Sequence, residues 1–236
     1  GRPDADGTYS DAIKYGMISV IIHEVGHNYF PMIVNSDERQ WTWMDEGLNT
    51  FMQFMAEQEW DRNYPSRRGP AHKIVPYMKS EKHLLEPIMT NSENIIQFGP
   101  NAYAKPATAL NILRETVMGR DLFDFAFQEY SRRWMFKHPT PDDLFRTLED
   151  ASAVDLDWFW RGWFYGTEPV DISIENVAWY KMDNRTPAQK KADAKVSFDR
   201  EEASVSKEAN VKGVPTTVVE ADPATRDFYN SYNPFS

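Results

Sequence analysis

From residue 10 to residue 30 the chain is apolar on nearly every side of a helical projection, most densely in MISVIIHEVGH. Such a pattern predicts one buried helix over about 10–30, ended or kinked by Pro31. A polar link, NSDERQ, follows. Met44, Leu48, Phe51, Met52 and Met55 then recur at helical spacing and predict a second helix from about Trp41 to Trp60, with those five on its core face. DRNYPSRRGP reads as a loop, and residues 71–98 as short helices joined by turns.

Gly99-Pro100-Asn101 reads as a break, followed by a helix to about Met118 with Gly119 as its stop. Another helix is predicted over 122–135. Thr140-Pro141-Asp142-Asp143 has the grammar of a helix start, and that helix should reach about Ala151. A last helix covers Leu156–Phe164. After Gly166 the pattern changes. DISIENVAWY alternates like a strand, residues 183–213 are charged and read as a solvated tail or as an arm along parts beyond this chain, and VPTTVVE reads as one more strand. The predicted architecture is therefore mainly α, with a short β and irregular C-terminal segment. It divides into a helical unit over 1–165 and a strand plus extended tail over 166–236.

Composition narrows the function classes. The chain has 236 residues, 41% of them hydrophobic, enough for one sizeable core. A net charge of −10 without a basic cluster argues against nucleic acid as a partner. No apolar run approaches the length of a membrane span. There are no cysteines, so thiolate metal sites and disulfides are excluded, while the compartment stays open. The opening GRPDADGTYS, loop-like and without an initiator Met, reads as the start of a piece from a longer protein.

Two histidines in the first helix change the picture further. His23 and His27 are four apart, one turn from each other on one face, and could hold one ion between them. A catalytic zinc takes three protein ligands and leaves one position to water, and Glu46 is the candidate third ligand. Glu24 points about 100° away from His23 and is placed to act as general base. It also falls inside an apolar stretch, where an unpaired charge costs several kcal/mol and a neighbouring cation would remove that cost. A single buried histidine is more often a hydrogen-bonded core residue. The full HExxH pattern, however, arises by chance only about once in a hundred chains of this composition. His72, His83 and His138 lack partners at ligand spacing and are expected at the surface. The aromatic run LDWFWRGWFY suits core or interface packing better than ligand stacking.

HEVGH, an 18-residue gap and Glu46 within DEGLNTF resemble the gluzincin zinc metallopeptidases, most of all the aminopeptidase N family. The resemblance spans about residues 8–175. It implies one zinc per chain on His23, His27 and Glu46, with Glu24 as base, and a fold equal to the helical half of a thermolysin-like catalytic domain. Tyr103-Ala104-Lys105-Pro106 is similar to the family's Y-x-K-G-like segment, which implies that the Tyr103 hydroxyl steadies the oxyanion. It implies a peptide as substrate, with release of N-terminal residues. It also implies packing against N- and C-terminal domains beyond this chain. Three positions depart from the family pattern: Gln53 stands where an acid is usual, Pro31 where a Gly is common, and Asp45 where an Asn is common. The family's amine-holding G-x-M-E-N-like segment precedes the zinc helix and is absent from this sequence. Two other readings stay open at this point, a gluzincin endopeptidase and a non-catalytic zinc-binding interaction domain.

Overall fold

In the computed structural model, residue 3 and residues 5–168, 185–192 and 204–227 are described. Among them there is no strand. The expected strand at 171–180 and Pro169 lie outside the described residues.

Helix α1 (Asp11–Gly26) leads into a series of turns, and α2 (Thr42–Trp60) lies against it. The stretch expected as short helices contains 3-10 turns at Ala71–Ile74, Lys82–Leu84 and Ser92–Asn94, and a single α-turn, α3 (Val75–Met78). The break expected at 99–101 is instead the start of a helix. Gly99–Ala104 form a π-helical turn that runs directly into α4 (Lys105–Ile112) and a second π turn at Leu113–Val117. Pro100 is tolerated because it sits in the first turn, where its missing N–H has no intrahelical partner to lose. Gly119, with φ of 82°, adopts the backbone that glycine favours and ends this run. Helix α5 (Arg120–Trp134) packs on α6 (Pro141–Ser152), whose start is fixed by Asp143 accepting the Thr140 N–H at 2.9 Å. Helix α7 (Asp157–Trp160) continues as a π turn over Arg161–Tyr165.

One core joins these helices, and it is strongly aromatic. Phe51 of α2 meets Phe123 and Phe127 of α5, while Phe145 of α6 stacks on Trp160 at 4.5 Å between ring centres. The aromatic run is thus mainly core: Phe159, Trp160 and Phe164 are buried, and only Trp158 and Tyr165 face outward.

Three expectations are corrected. First, α1 is not a buried helix. It packs chiefly on α2, and only Lys14 and His23 of it are buried, whereas Val20, Ile21 and Val25 are exposed, Val25 at 63%. An apolar pattern on all sides shows what a helix could bury. It does not show which neighbours are there. Second, Met52 lies off the α2 core face, and Phe54 joins that face with Met44, Leu48 and Phe51. Third, residues 204–227 are neither strand nor solvated tail. They form α8 (Val205–Gly213) and α9 (Val218–Ala221). Ser204 caps the first by accepting the Lys207 N–H, and Thr217 with Glu220 forms a capping box on the second. T-x-x-E is a helix-start signature, and it prevails here over the β propensity of the valines. Arg62, just after α2, clamps this segment. It donates to Glu220 at 3.1 Å and to the carbonyls of Asn210 and Val214. Arg120 adds a 2.8 Å bond to Asn210 Oδ1.

Two glycines set how closely the site's elements meet. A Cβ on Gly26 would overlap the Asn49 side-chain oxygen, so glycine there leaves room for the Asn49 amide between α1 and α2. A Cβ on Gly47 would stand 2.5 Å from Pro106 Cγ and 3.0 Å from the Ala102 carbonyl oxygen. Gly47→Ala is therefore expected to push the 102–106 turn off α2 and lose about 1–3 kcal/mol, the usual scale of overpacking. Urea unfolding of the 236-residue chain checks this, and an unchanged midpoint would contradict it.

Candidate metal centre and active site

The two histidines project from the last turns of α1 and face α2. Asn49 of α2 fastens the pairing by donating to the His23 carbonyl at 2.8 Å. The next turn of α2 towards its start delivers Glu46. Its Oε2 lies 2.9 Å from His23 Nε2 and 3.5 Å from His27 Nε2. The three side chains offer ligand atoms that all fall within 4.8 Å of one another.

The outer hydrogen bonds fix the tautomers. His27 Nδ1 is 3.0 Å from the Phe30 carbonyl oxygen, which can only accept, so Nδ1 carries the proton and Nε2 keeps its lone pair. Gln53 donates its amide N–H to Glu57, a pure acceptor, at 2.7 Å. The amide oxygen must then face His23 Nδ1, 2.9 Å away, and that nitrogen donates. Both Nε2 atoms therefore face one carboxylate oxygen, and that of His23 is at hydrogen-bond distance from it. Three acceptors this close repel one another unless a cation or a proton sits among them. Tetrahedral ligands at about 2.1 Å from a zinc ion would be roughly 3.4 Å apart, so the spacing suits zinc with small adjustments. The donor set, two imidazoles and a carboxylate with a cleft on the open side, matches a hydrolytic zinc site in kind.

The electrostatics follow the same geometry. Burial pulls the His23 pKa down, but its hydrogen bonds to Glu46 and Gln53 outweigh that and leave it raised. Burial pushes Glu46 up, and the contacts with His23 and Tyr103 outweigh it and hold the carboxyl below its ordinary value. Asp45 differs. Burial, a hydrogen bond with Glu38 and the Glu46 charge push its carboxyl above the ordinary value. Its Oδ1 is 2.9 Å from His27 Nδ1 without hydrogen-bond alignment, and the imidazole proton goes to Phe30.

Tyr103 arrives from the π turn after Gly99. Its ring stacks beside His23 at 5.8 Å, its hydroxyl bonds Glu46, and burial followed by Glu46 raises its pKa, so it remains a donor. The guanidinium of Arg68 lies 4.4 Å from the centre of its ring. Lys105, two residues on, is buried and donates to the Gly166 carbonyl, which ties this turn to the end of the aromatic run. Glu24 lines the same cleft of about 350 Å³ as His23, His27, Glu46 and Tyr103. It is exposed there, so the expected burial cost for its charge does not arise. All five residues singled out in the sequence thus meet at one cleft. His72, His83 and His138 are exposed and away from it.

Sequence reading missed two neighbours. Arg68 belonged to a basic pair too short to interpret, and its place over Tyr103 depends on the loop after α2. Glu57 carried an available signal, since it is four residues after Gln53 on one helix face.

The peptidase family M1 domain matches residues 5–163, two thirds of the sequence and every element that lines the cleft. The chain belongs to peptidase family M1. The resemblance to the aminopeptidase N branch of the gluzincins holds, and the described helices are the helical part of an M1 catalytic domain. Among the M1 chain's relatives is a glutamyl aminopeptidase of Sus scrofa, 26% identical over 168 residues, covering 67% of this chain and 17% of that protein. A probable aminopeptidase 1 of Sulfurisphaera tokodaii is 22% identical over 190 residues, 75% of this chain and 24% of that protein. The mitochondrial aminopeptidase 2 of Saccharomyces cerevisiae is 24% identical over 183 residues, with 74% and 18% covered. The M1 chain therefore spans about a sixth to a quarter of the length of these curated relatives. No described helix is long and apolar enough to cross a membrane.

Proposed function

We propose that the protein hydrolyses peptide bonds at a zinc ion held by His23, His27 and Glu46, and that it releases N-terminal residues from peptides. The observation that carries this is the convergence of two imidazole nitrogens and a carboxylate on one point of a cleft. A zinc ion there would polarise the scissile carbonyl and lower the pKa of a water to roughly 7. Glu24, exposed in the same cleft, takes a proton from the attacking water and returns it to the leaving amine. Tyr103 holds its proton and donates to the oxygen on which negative charge develops. The single Tyr103 hydroxyl proton goes to Glu46 in this structure, and donation to the substrate oxygen exchanges that bond for the new one. The relatives' names, aminopeptidases in each case quoted above, support exopeptidase action. A zinc-binding domain without catalysis is disfavoured because Glu24 and Tyr103 stand in the cleft beside the ligands.

Two measurements test the reading. Zinc content of the 236-residue chain should be one equivalent. In a protein spanning the full length of its relatives, Tyr103→Phe should lower turnover about 100- to 1,000-fold, the effect of losing one oxyanion donor, while substrate binding changes much less. Normal turnover with phenylalanine at position 103 would remove Tyr103 from the mechanism.

A further inference from the structure

Behind His23 a short chain of hydrogen bonds runs deep between α1 and α2. His23 Nδ1 donates to Gln53 Oε1 at 2.9 Å, and Gln53 Nε2 donates to Glu57 Oε1 at 2.7 Å. The same Glu57 oxygen accepts from Ser19 Oγ of α1 at 2.8 Å. Ser19 Oγ in turn lies 2.8 Å from the Tyr64 hydroxyl, which donates to the Tyr15 carbonyl. Glu57 is only 2% exposed. Three positions of α2 at spacings of seven and four, Glu46, Gln53 and Glu57, thus grip one imidazole from two sides.

An amide alone is a poor device for fixing a histidine. It is neutral, and turning it over exchanges its acceptor for its donor. Turned over here, it would aim N–H at the imidazole nitrogen and leave its oxygen facing the Glu57 carboxylate at 2.7 Å. The carboxylate forbids that. It therefore sets the direction of the amide, and the amide sets which His23 nitrogen carries the proton. Negative charge also passes along the line, because hydrogen bonds in series polarise one another where the local dielectric is low.

We infer that Glu57 is a positioning residue for the metal centre. It acts on His23 through Gln53, holding Nδ1 protonated and Nε2 free and raising the donor strength of that nitrogen. The inference rests on the zinc reading above, and it concerns a carboxylate that does not itself touch the metal. Ser19 keeps Glu57 in place from the α1 side, and Tyr64, from the loop after α2, lies against Ser19. The device joins both helices of the site, so closing α1 onto α2 and aiming His23 are one event.

Competition with a chromophoric chelator for Zn²⁺ measures the consequence on the 236-residue chain. Removing an outer-shell partner costs about 10–100-fold in metal affinity. Glu57→Gln keeps the size and a carbonyl acceptor but removes the charge and lets the Gln53 amide turn. It should weaken Zn²⁺ binding about tenfold or more. The exchange variant Gln53→Glu with Glu57→Gln puts the carboxylate directly on His23 Nδ1 and the amide behind it. It should bring the affinity back to the unsubstituted level or above. A merely structural Glu57 would lower the unfolding midpoint without this recovery. Unchanged zinc affinity in Glu57→Gln, beside stoichiometric binding by the unsubstituted chain, would overturn the inference. If Glu57→Gln does not fold, the exchange variant decides alone: affinity at the unsubstituted level supports the relay, and a tenfold loss in a folded protein refutes it. Absence of zinc from the unsubstituted chain would instead overturn the zinc reading itself.

Discussion

Replacing His27 with alanine is expected to strip the zinc from the chain. His27 supplies one of three converging ligand atoms, and its Nδ1 is tied to Phe30, so no second orientation of the ring is on offer. Outer-shell changes already cost about 10–100-fold in affinity, and loss of a ligand should exceed that range. Two ligands, His23 and Glu46, would remain, with water filling the other positions, and such a site releases zinc readily to a chelator. Dialysis against a weak chelator followed by metal analysis gives the answer. One equivalent of zinc retained by a folded His27→Ala chain would show that the ion is held elsewhere.

Glu24→Gln is expected to separate catalysis from metal binding. Glu24 is one residue from His23, but it projects from a different side of α1 and is exposed in the cleft, outside the group of converging ligand atoms. Glutamine keeps the shape and loses the proton acceptor. Zinc content should stay at the unsubstituted level. Peptide hydrolysis, measured in a protein spanning the full length of its relatives, should fall at least about 100-fold, since general base catalysis contributes about 100- to 10,000-fold. Glu46→Gln should do the reverse first, weakening zinc itself, because Glu46 Oε2 is the atom both histidines face. Equal zinc content in the two variants would show that the division of roles is wrong.

The unexpected helices after residue 204 bear on the back of this site. Arg62 holds α8 and α9 against the end of α2, Arg120 ties α8 to the start of α5, and Arg226 reaches Asp61 at 3.5 Å. Asp61 also accepts the Tyr15 hydroxyl from α1. A segment that composition alone marks as unable to order itself is thus ordered by borrowed partners. Its own apolar residues remain largely exposed, Val205 and Val211 among them. Buried polar contacts, including Ser206 Oγ to Asn111 Oδ1 at 3.1 Å, do the fixing instead.

The sequence by itself determined the candidate metal-ligand pair and most of the helices. His23 and His27 are one turn apart in any α-helix, so their shared face needs no tertiary information. The α2 boundaries, the Thr140 start and the Gly119 stop were equally legible, because caps, prolines and glycines act within a few residues. Tertiary structure decided whatever depended on a neighbour. It left one face of α1 open, because an apolar pattern does not say whether a partner covers it. It brought Tyr103 from the turn after Gly99 to Glu46, through a close approach that only Gly47 allows. It placed Arg68 over that tyrosine. And it set two ordinary residues of α2, Gln53 and Glu57, in line behind His23, where packing leaves Glu57 buried and Ser19 of α1 donates to it.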